Sequence, residues 1–245
     1  MTDLRLGNSI ELLKDIPSES IDCIITDVPY KTTSRGSSGS MGGYWKGDLA
    51  KSGRIFDDND VKPSEYLPDF YRVLKDGTHC YIMINNINLI EMLNEATSVG
   101  FRFIKSLIWD KCSKITGRWY MGCYEYILMF RKGEGRPINY PSTPDLLQIP
   151  ICKLKLADGS NAHDTQKPDE LFSVLVRNST NKGETVLDPF MGIGGCGVAC
   201  QELERNFIGM EINPTYYNIA KARIDGASVK GEAEQGEQLS IGLCQ

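Results

Sequence analysis

Two stretches combine residue types that can do chemistry. The first is Asp27-Val28-Pro29-Tyr30, which follows the apolar run Cys23-Ile24-Ile25. Such a run reads as a buried strand. A carboxylate, a proline-stiffened turn and an aromatic ring therefore arrive together at a strand end. In open α/β sheets, ligands occupy the crevice at the carboxyl ends of the strands. The set suits a flat, amino-bearing group such as a nucleobase, because the acid accepts hydrogen bonds from the amine and the ring stacks on the base. Asp, Pro and Tyr also make ordinary turns, so this run alone leaves both readings open.

The second stretch is Asp188-Pro189-Phe190-Met191-Gly192-Ile193-Gly194-Gly195-Cys196-Gly197. It reads as a strand end, a glycine-rich turn and the start of a helix. Gly192, Gly194 and Gly197 satisfy G-x-G-x-x-G, and Glu211 lies near the offset of a ribose contact, so a dinucleotide site is one reading. Two features count against it. Asp188 would repel a pyrophosphate, and Pro189-Phe190-Met191 separates the strand from the glycines. A ligand without phosphate and with a positive charge fits better. S-adenosylmethionine has an ammonium, a sulfonium and a ribose for Glu211, and the glycines let backbone approach it closely.

These two stretches need a scaffold, and the rest of the chain supplies its pattern. Asp3–Leu6 reads as a strand and Ser9–Lys14 as a helix, with the strand 21–26 next. A helix is expected over 63–74, stopped by Asp76-Gly77, then a strand over 79–84 and a helix over 88–99 stopped by Gly100. Strands follow at 103–109 and 121–130, a helix at 168–178, a strand at 184–188, a helix to Leu203, a strand at 207–211 and a helix from Pro214 to Arg223. Alternating strands and helices argue an α/β, doubly wound sheet. Residues 31–60 lack an apolar period and read as a long inserted loop, the kind of loop that is functional or disordered. Tyr44-Trp45-Lys46 inside it sets aromatics among cations, a pattern suited to stacking on bases. Residues 131–162 read as a small excursion. Few apolar residues follow Asp225, so 226–245 reads as a disordered tail.

The chain of 245 residues carries a formal charge of −5. That disfavours a nucleic-acid binder until the charge is mapped. Residues 31–54 hold five basic residues against one acid, and residues 102–136 hold eight against three. Two basic patches of this kind suit a phosphate footprint. The eight cysteines include no C-x-x-C pair and read as reduced, mostly buried thiols. No metal is expected. Met1-Thr-Asp-Leu-Arg lacks the apolar core of a signal peptide, and no run reaches transmembrane length, so a cytoplasmic protein is expected.

With both stretches in place, residues 3–224 resemble the beta arrangement of the amino-group DNA methyltransferases, in which the catalytic motif precedes the cofactor motif. The family's Asp-Pro-Pro-Tyr is similar to Asp27-Val28-Pro29-Tyr30, and its Asp-Pro-Phe-x-Gly-x-Gly is matched at 188–194. His163-Asp-Thr-Gln-Lys167-Pro168 resembles a third cofactor element, and Glu125-Tyr-Ile-Leu-Met-Phe a late strand. Val28 stands in place of the first proline, and Asn8 where the family often has Asp. The resemblance implies a Rossmann-like class I methyltransferase fold with a mostly parallel seven-stranded sheet, its catalytic half first, in one domain over 1–225.

It also implies roles. Asp27, Val28, Pro29 and Tyr30 would form the catalytic set. Asn8, Asp27, Lys167, Asp188, Pro189, Phe190, Gly192, Gly194, Glu211 and Asn213 would hold S-adenosylmethionine, Lys167 near its methionine end. Lys31, Arg35, Lys46, Lys111 and Arg118 would contact DNA, with target recognition in 31–60 and 110–162. The expected reaction is methyl transfer to the exocyclic N6 of adenine in flipped-out bases of double-stranded DNA, in the cytoplasm of a bacterium or a phage-infected cell. A homodimer would extend the short recognition region. Cytosine N4 is the first alternative. A non-catalytic DNA-binding relative and a dinucleotide-dependent oxidoreductase stay open beside it.

Overall fold

The computed structural model describes residues 1–30, 61–115, 120–156, 159–163 and 165–226. In chain order the elements are β1 (Thr2–Leu6), α1 (Ser9–Leu12, continued by a 3-10 turn), β2 (Ile21–Asp27), α2 (Pro63–Val73), β3 (Leu74–Ile84) and α3 (Leu89–Val99). They continue as β4 (Arg102–Ile115), β5 (Gly122–Arg131), β6 (Leu146–Gln148), α4 (Asp169–Ser179), β7 (Thr185–Asp188), α5 (Gly195–Glu202), β8 (Asn206–Glu211) and α6 (Pro214–Ile224).

The strands form one sheet in the order β1-β8-β7-β2-β3-β5-β4-β6. Only the pairings of β5 with β3 and β4 are antiparallel. The alternation along each strand divides the core. Ile24, Ile82 and Leu128 face one layer with Tyr66, Leu67 and Phe70 of α2 and Met92 of α3. Cys23, Ile25, Tyr81 and Ile127 face the other, with Leu171 of α4, Cys200 of α5 and Ile224 of α6. Strands buried on both faces explain why they read as continuous apolar runs rather than alternating ones.

The topology makes a crevice. From β2 the chain crosses through α2 to β3 on one side, and from β7 it crosses through α5 to β8 on the other. β2 and β7 are neighbours, paired at Cys23↔Val186 and Ile24↔Leu187. Connections that diverge from adjacent parallel strands open a cleft at the strands' carboxyl ends. The last residues of those two strands are Asp27 and Asp188.

Four expectations are corrected. The sheet has eight strands among the described residues, not seven. The additional one is β6, three residues on the edge, held parallel to β4 by Ile108, Trp109 and Asp110. The helix over 63–74 is not stopped by Asp76-Gly77. The chain turns extended at Leu74 and enters β3, while Gly77 exchanges backbone hydrogen bonds with Lys132 and Arg136. The cysteines are not all reduced. Cys23, Cys80, Cys196 and Cys200 are buried free thiols, but Cys152 is disulfide-bonded.

The second basic patch is the fourth. Arg102, Lys105, Lys111, Arg131, Lys132 and Arg136 each face a carboxylate. Three of those partners, Glu19, Asp145 and Glu184, lie outside the window that was summed. A window counts neighbours along the chain, whereas the field at a surface depends on neighbours in space. The expected loop over 31–60, Arg118 and the tail from 227 lie outside the described residues.

Candidate active site

The buried strand β2 carries Thr26 and Asp27 to the crevice. Thr26 is fully buried, and its hydroxyl donates to Asp188 Oδ1 at 2.8 Å, tying the two strand ends together. The Phe190 N–H also donates to that oxygen, at 3.2 Å. Burial nonetheless pushes the Asp188 carboxyl up to about 7, against these two donors. Past the strand, the Val28 side chain is buried in the core, which anchors the backbone where a proline was expected.

Around Asp188 the chain is cross-tied. Ser9 at the start of α1 donates its hydroxyl to the Pro189 carbonyl. The Met191 N–H bonds to the Met210 carbonyl at 3.0 Å. Gly192 and Gly194 both adopt positive φ, 53° and 80°, and Gly194 opens α5. Glu211 is held with one oxygen accepting from the Gly192 N–H at 3.0 Å and the other from the Asn213 N–H at 2.8 Å. Asn213 caps α6 through the Thr215 and Tyr216 N–H groups, and Asn8 caps α1 through the Ile10 N–H. Both asparagines thus have structural work at helix starts. His163 stacks edge-on against Tyr216, 4.5 Å between centroids, and sits 3.6 Å from where a Cβ on Gly192 would lie. Burial and the charge of Lys167 lower its pKa to about 4, so it is neutral at pH 7.

Asp27 meets a residue from far along the chain. The Lys167 ammonium donates to Asp27 Oδ2 at 2.5 Å and lies 3.3 Å from Glu125 Oε2. Lys111 in turn donates to Glu125 Oε1 at 2.5 Å. The Lys111 side chain is only 12% exposed, so this lysine, expected as a phosphate contact, spends its charge inside. Among the described residues Asp27 Oδ1 is buried without a hydrogen-bond partner. Burial raises the Asp27 pKa, and Lys167 pulls it back. Glu125 is held below the usual carboxylate range: burial opposes this, and Lys167 and Lys111 outweigh it. In the sequence Thr26 reads only as the residue before Asp27, and Glu125 only as the start of a strand that resembles the family's; neither was expected in the site. A carboxylate heading the apolar run Tyr126–Phe130 was the one available signal for Glu125.

Beside Tyr30 lies a cavity of about 220 Å³, walled by Pro29, Tyr30, Tyr66, Ile84, Asn88 and Met92 among others. The Tyr66 hydroxyl is buried without a partner among the described residues. Its ring meets that of Phe190 edge-on at 5.5 Å, linking the cavity wall to the glycine-rich turn.

A model of the N6/N4-type DNA methylase family matches residues 21–222. The chain belongs to that family. It is 31% identical over 255 residues to the Type II methyltransferase M.HpaI of Haemophilus parainfluenzae, covering 91% of this chain and 74% of the relative. Its fold is that of an M1.HpyAVI–SAM complex, with a TM-score of 0.68 and 24% identity over 91% of this chain and all of the other. The PvuII DNA methyltransferase, described as cytosine-N4-specific, superposes with a TM-score of 0.71 and 19% identity over 91% and 86% of the two chains. At these identities the structural likeness speaks to the fold. The protein is a DNA methyltransferase that uses S-adenosylmethionine, which displaces the oxidoreductase reading.

The residues present fit that cofactor. Glu211 presents a carboxylate fixed by two backbone donors, and the glycine turn brings backbone close beside it. The acids that end β2 and β7, Asp27 and Asp188, suit a neighbouring sulfonium or ammonium better than a phosphate. The methyltransferase should therefore show a pH signature when ligand-free. The folded pKa of Asp188 lies above its unfolded value, so between about pH 4 and about pH 7 the native state binds more protons and stability falls as pH rises. Urea unfolding at several pH values should show a shallower decline for Asp188→Asn than for the wild type. Parallel declines would mean that Asp188 stays ionised in the fold.

Proposed function

We propose that this enzyme methylates the exocyclic N6 of adenine, flipped out of double-stranded DNA. The observation that carries the reading is Oδ1 of Asp27 at the β2 end, buried without a hydrogen-bond partner among the described residues, with Pro29 and Tyr30 of the same turn walling the cavity. A buried acceptor without a donor is costly, and an amine N–H is the donor that would satisfy it. An exocyclic amine is a poor nucleophile because its lone pair is delocalised into the ring. Asp27 Oδ1 and the Val28 carbonyl would take its two hydrogens and draw the nitrogen towards tetrahedral geometry.

When bound, S-adenosylmethionine supplies a methyl group on a sulfonium, an electrophile with its own leaving group. That methyl would go to the amine nitrogen, and the Asp27 carboxylate would face the positive charge left on the amine, whose proton would then leave to Asp27 or water. Much of the rate would come from alignment, to which Glu211 contributes through the ribose and Asp188, Pro189, Phe190, Gly192 and Gly194 through the turn. Asn8 and Asn213 would border the cofactor from their helix caps.

Tyr30 would stack on the flipped base, whose extrusion costs a few kcal/mol. A cavity of about 220 Å³ is below drug-pocket size and suits a single nucleobase. Adenine is preferred because the Asp-led motif with Tyr resembles that of adenine enzymes; Ser-led motifs accompany cytosine. The test is transfer of labelled methyl to unmodified duplex DNA with nucleoside analysis. N6-methyladenine is expected. N4-methylcytosine would keep the chemistry and overturn the base, and cofactor binding with no transfer to diverse DNAs would leave a binding relative.

A further inference from the structure

The resemblance gave Lys167 to the cofactor, and in this structure its ammonium is held by two acids. Its side chain is 4% exposed, and its nitrogen sits 2.5 Å from Asp27 Oδ2, 3.3 Å from Glu125 Oε2 and 3.5 Å from the Thr165 carbonyl. Glu125 on β5 is gripped from its other side by Lys111 on β4, whose ammonium also lies 5.4 Å from the Trp109 ring centroid. β2, the β4–β5 hairpin and the loop before α4 thus contribute two acids and two lysines to one buried cluster. Tyr30 on the following turn also faces Lys167, and Asp188 on β7 stands next door through Thr26.

We infer that Lys167 and Glu125 are a pair of positioning residues for the reaction: Lys167 pins Asp27 by Oδ2 and leaves Oδ1 to the target amine, while Glu125 keeps Lys167 from cancelling the Asp27 charge. The inference rests on the reading that Asp27 receives the amine's hydrogens.

The physical need is twofold. A buried carboxylate tends to hold its proton, and a protonated Asp27 would have one fewer acceptor site. An adjacent lysine prevents that. Yet a lysine alone on Asp27 would repel the charge that develops on the amine. Glu125, 3.3 Å from the same ammonium, divides its field. The cluster then stays neutral, and the one positive charge of the reaction passes from sulfur to nitrogen without meeting a surplus of either sign. Lys111 completes the balance, since Glu125 by itself would be a second buried anion next to Asp27. The tie at Oδ2, beside an Oδ1 that has no partner among the described residues, also fixes the carboxylate's rotation, and a loose carboxylate would lose alignment with the amine.

The experiment uses the full chain with S-adenosylmethionine and duplex DNA. Single-turnover transfer is followed from about pH 5 to about pH 9, and cofactor affinity is measured by calorimetry. Lys167→Met should lower transfer about 100-fold at neutral pH and move the acidic limb up by about one unit or more. Glu125→Gln should move that limb down, because removing the second anion leaves Asp27 easier to ionise. Lys167→Arg should restore the wild-type limb. Cofactor affinity should change less than about threefold throughout.

Opposite displacements by two neighbouring substitutions are not what general loosening of the fold produces. Loss of more than about tenfold in cofactor affinity with an unmoved limb would return Lys167 to the cofactor and overturn the inference. So would limbs that move together or not at all. Glu125→Gln, close to isosteric, decides the matter if Lys167→Met fails to fold. A wild type that transfers no methyl to any DNA is a separate outcome, and sinks the underlying reading of Asp27 itself.

Discussion

Asp27→Ala should reduce methyl transfer by about 1,000-fold or more, roughly 4 kcal/mol of transition-state stabilisation, while S-adenosylmethionine still binds. The size follows from what the carboxylate is asked to do. It accepts a hydrogen from the amine, and it faces the positive charge that the amine acquires. Both interactions strengthen in the transition state, so their loss appears in the chemical step rather than in ground-state affinity. Asp27→Asn separates them. The amide keeps an acceptor and the shape of the group but loses the charge, so its transfer should lie between wild type and alanine. Single-turnover rates with saturating DNA and cofactor read this directly. Transfer within about tenfold of wild type in Asp27→Ala would remove Asp27 from the chemistry. Folding must be checked alongside, because removing one partner of a buried ion pair can cost about 3–5 kcal/mol. Lys167 keeps Glu125 at 3.3 Å as a second partner, which should soften that loss.

The two chemical motifs were legible in the sequence for a local reason. Each is a strand end followed at once by its turn, so Cys23-Ile24-Ile25 announces Asp27, and Thr185-Val186-Leu187 announces Asp188. Most strands were legible because their runs are apolar on both faces, and most helices because one face is. What escaped depends on distance along the chain. β6 is three residues long and exists because Trp109 and its neighbours offer an edge; the indole N–H donates to the Ile149 carbonyl at 2.8 Å, forty residues away. Gly77 looked like a helix stop because Asp-Gly commonly is one, yet Leu74 had already entered the sheet opposite Ile21. The second basic patch dissolved for the same reason, since Glu19, Asp145 and Glu184 reach it only through the fold. Glu125 passed as one residue of a strand. Its register opposite Trp109, beside Lys111 and across from Lys167, makes it part of the site.

The glycine-rich turn offers the other large effect. Gly194 has φ +80°, and a Cβ there would lie 2.9 Å from Ala220 Cβ, 3.0 Å from Ile224 Cδ1 and 3.1 Å from Ala220 Cα. Backbone is among those contacts, so α6 must shift to make room. Gly183 has nearly the same backbone, φ +79°, and open space where a Cβ would go. The two positions therefore separate conformational strain from collision. Gly183→Ala should cost about 1–2 kcal/mol, the penalty for an L-residue in the left-handed region. Gly194→Ala should cost that and about 1–3 kcal/mol more for overpacking, read as the difference in urea midpoints at constant slope. The two should also part in function. Displacement of α6 moves Asn213 and hence Glu211, whose oxygens are fixed by the Asn213 and Gly192 N–H groups. Gly194→Ala should weaken S-adenosylmethionine binding by about tenfold or more, and Gly183→Ala should leave it unchanged. Equal costs at the two positions would mean that α6 gives way freely. Unaltered cofactor affinity in Gly194→Ala would mean that the Glu211 carboxylate does not depend on the packing of α6 against the turn.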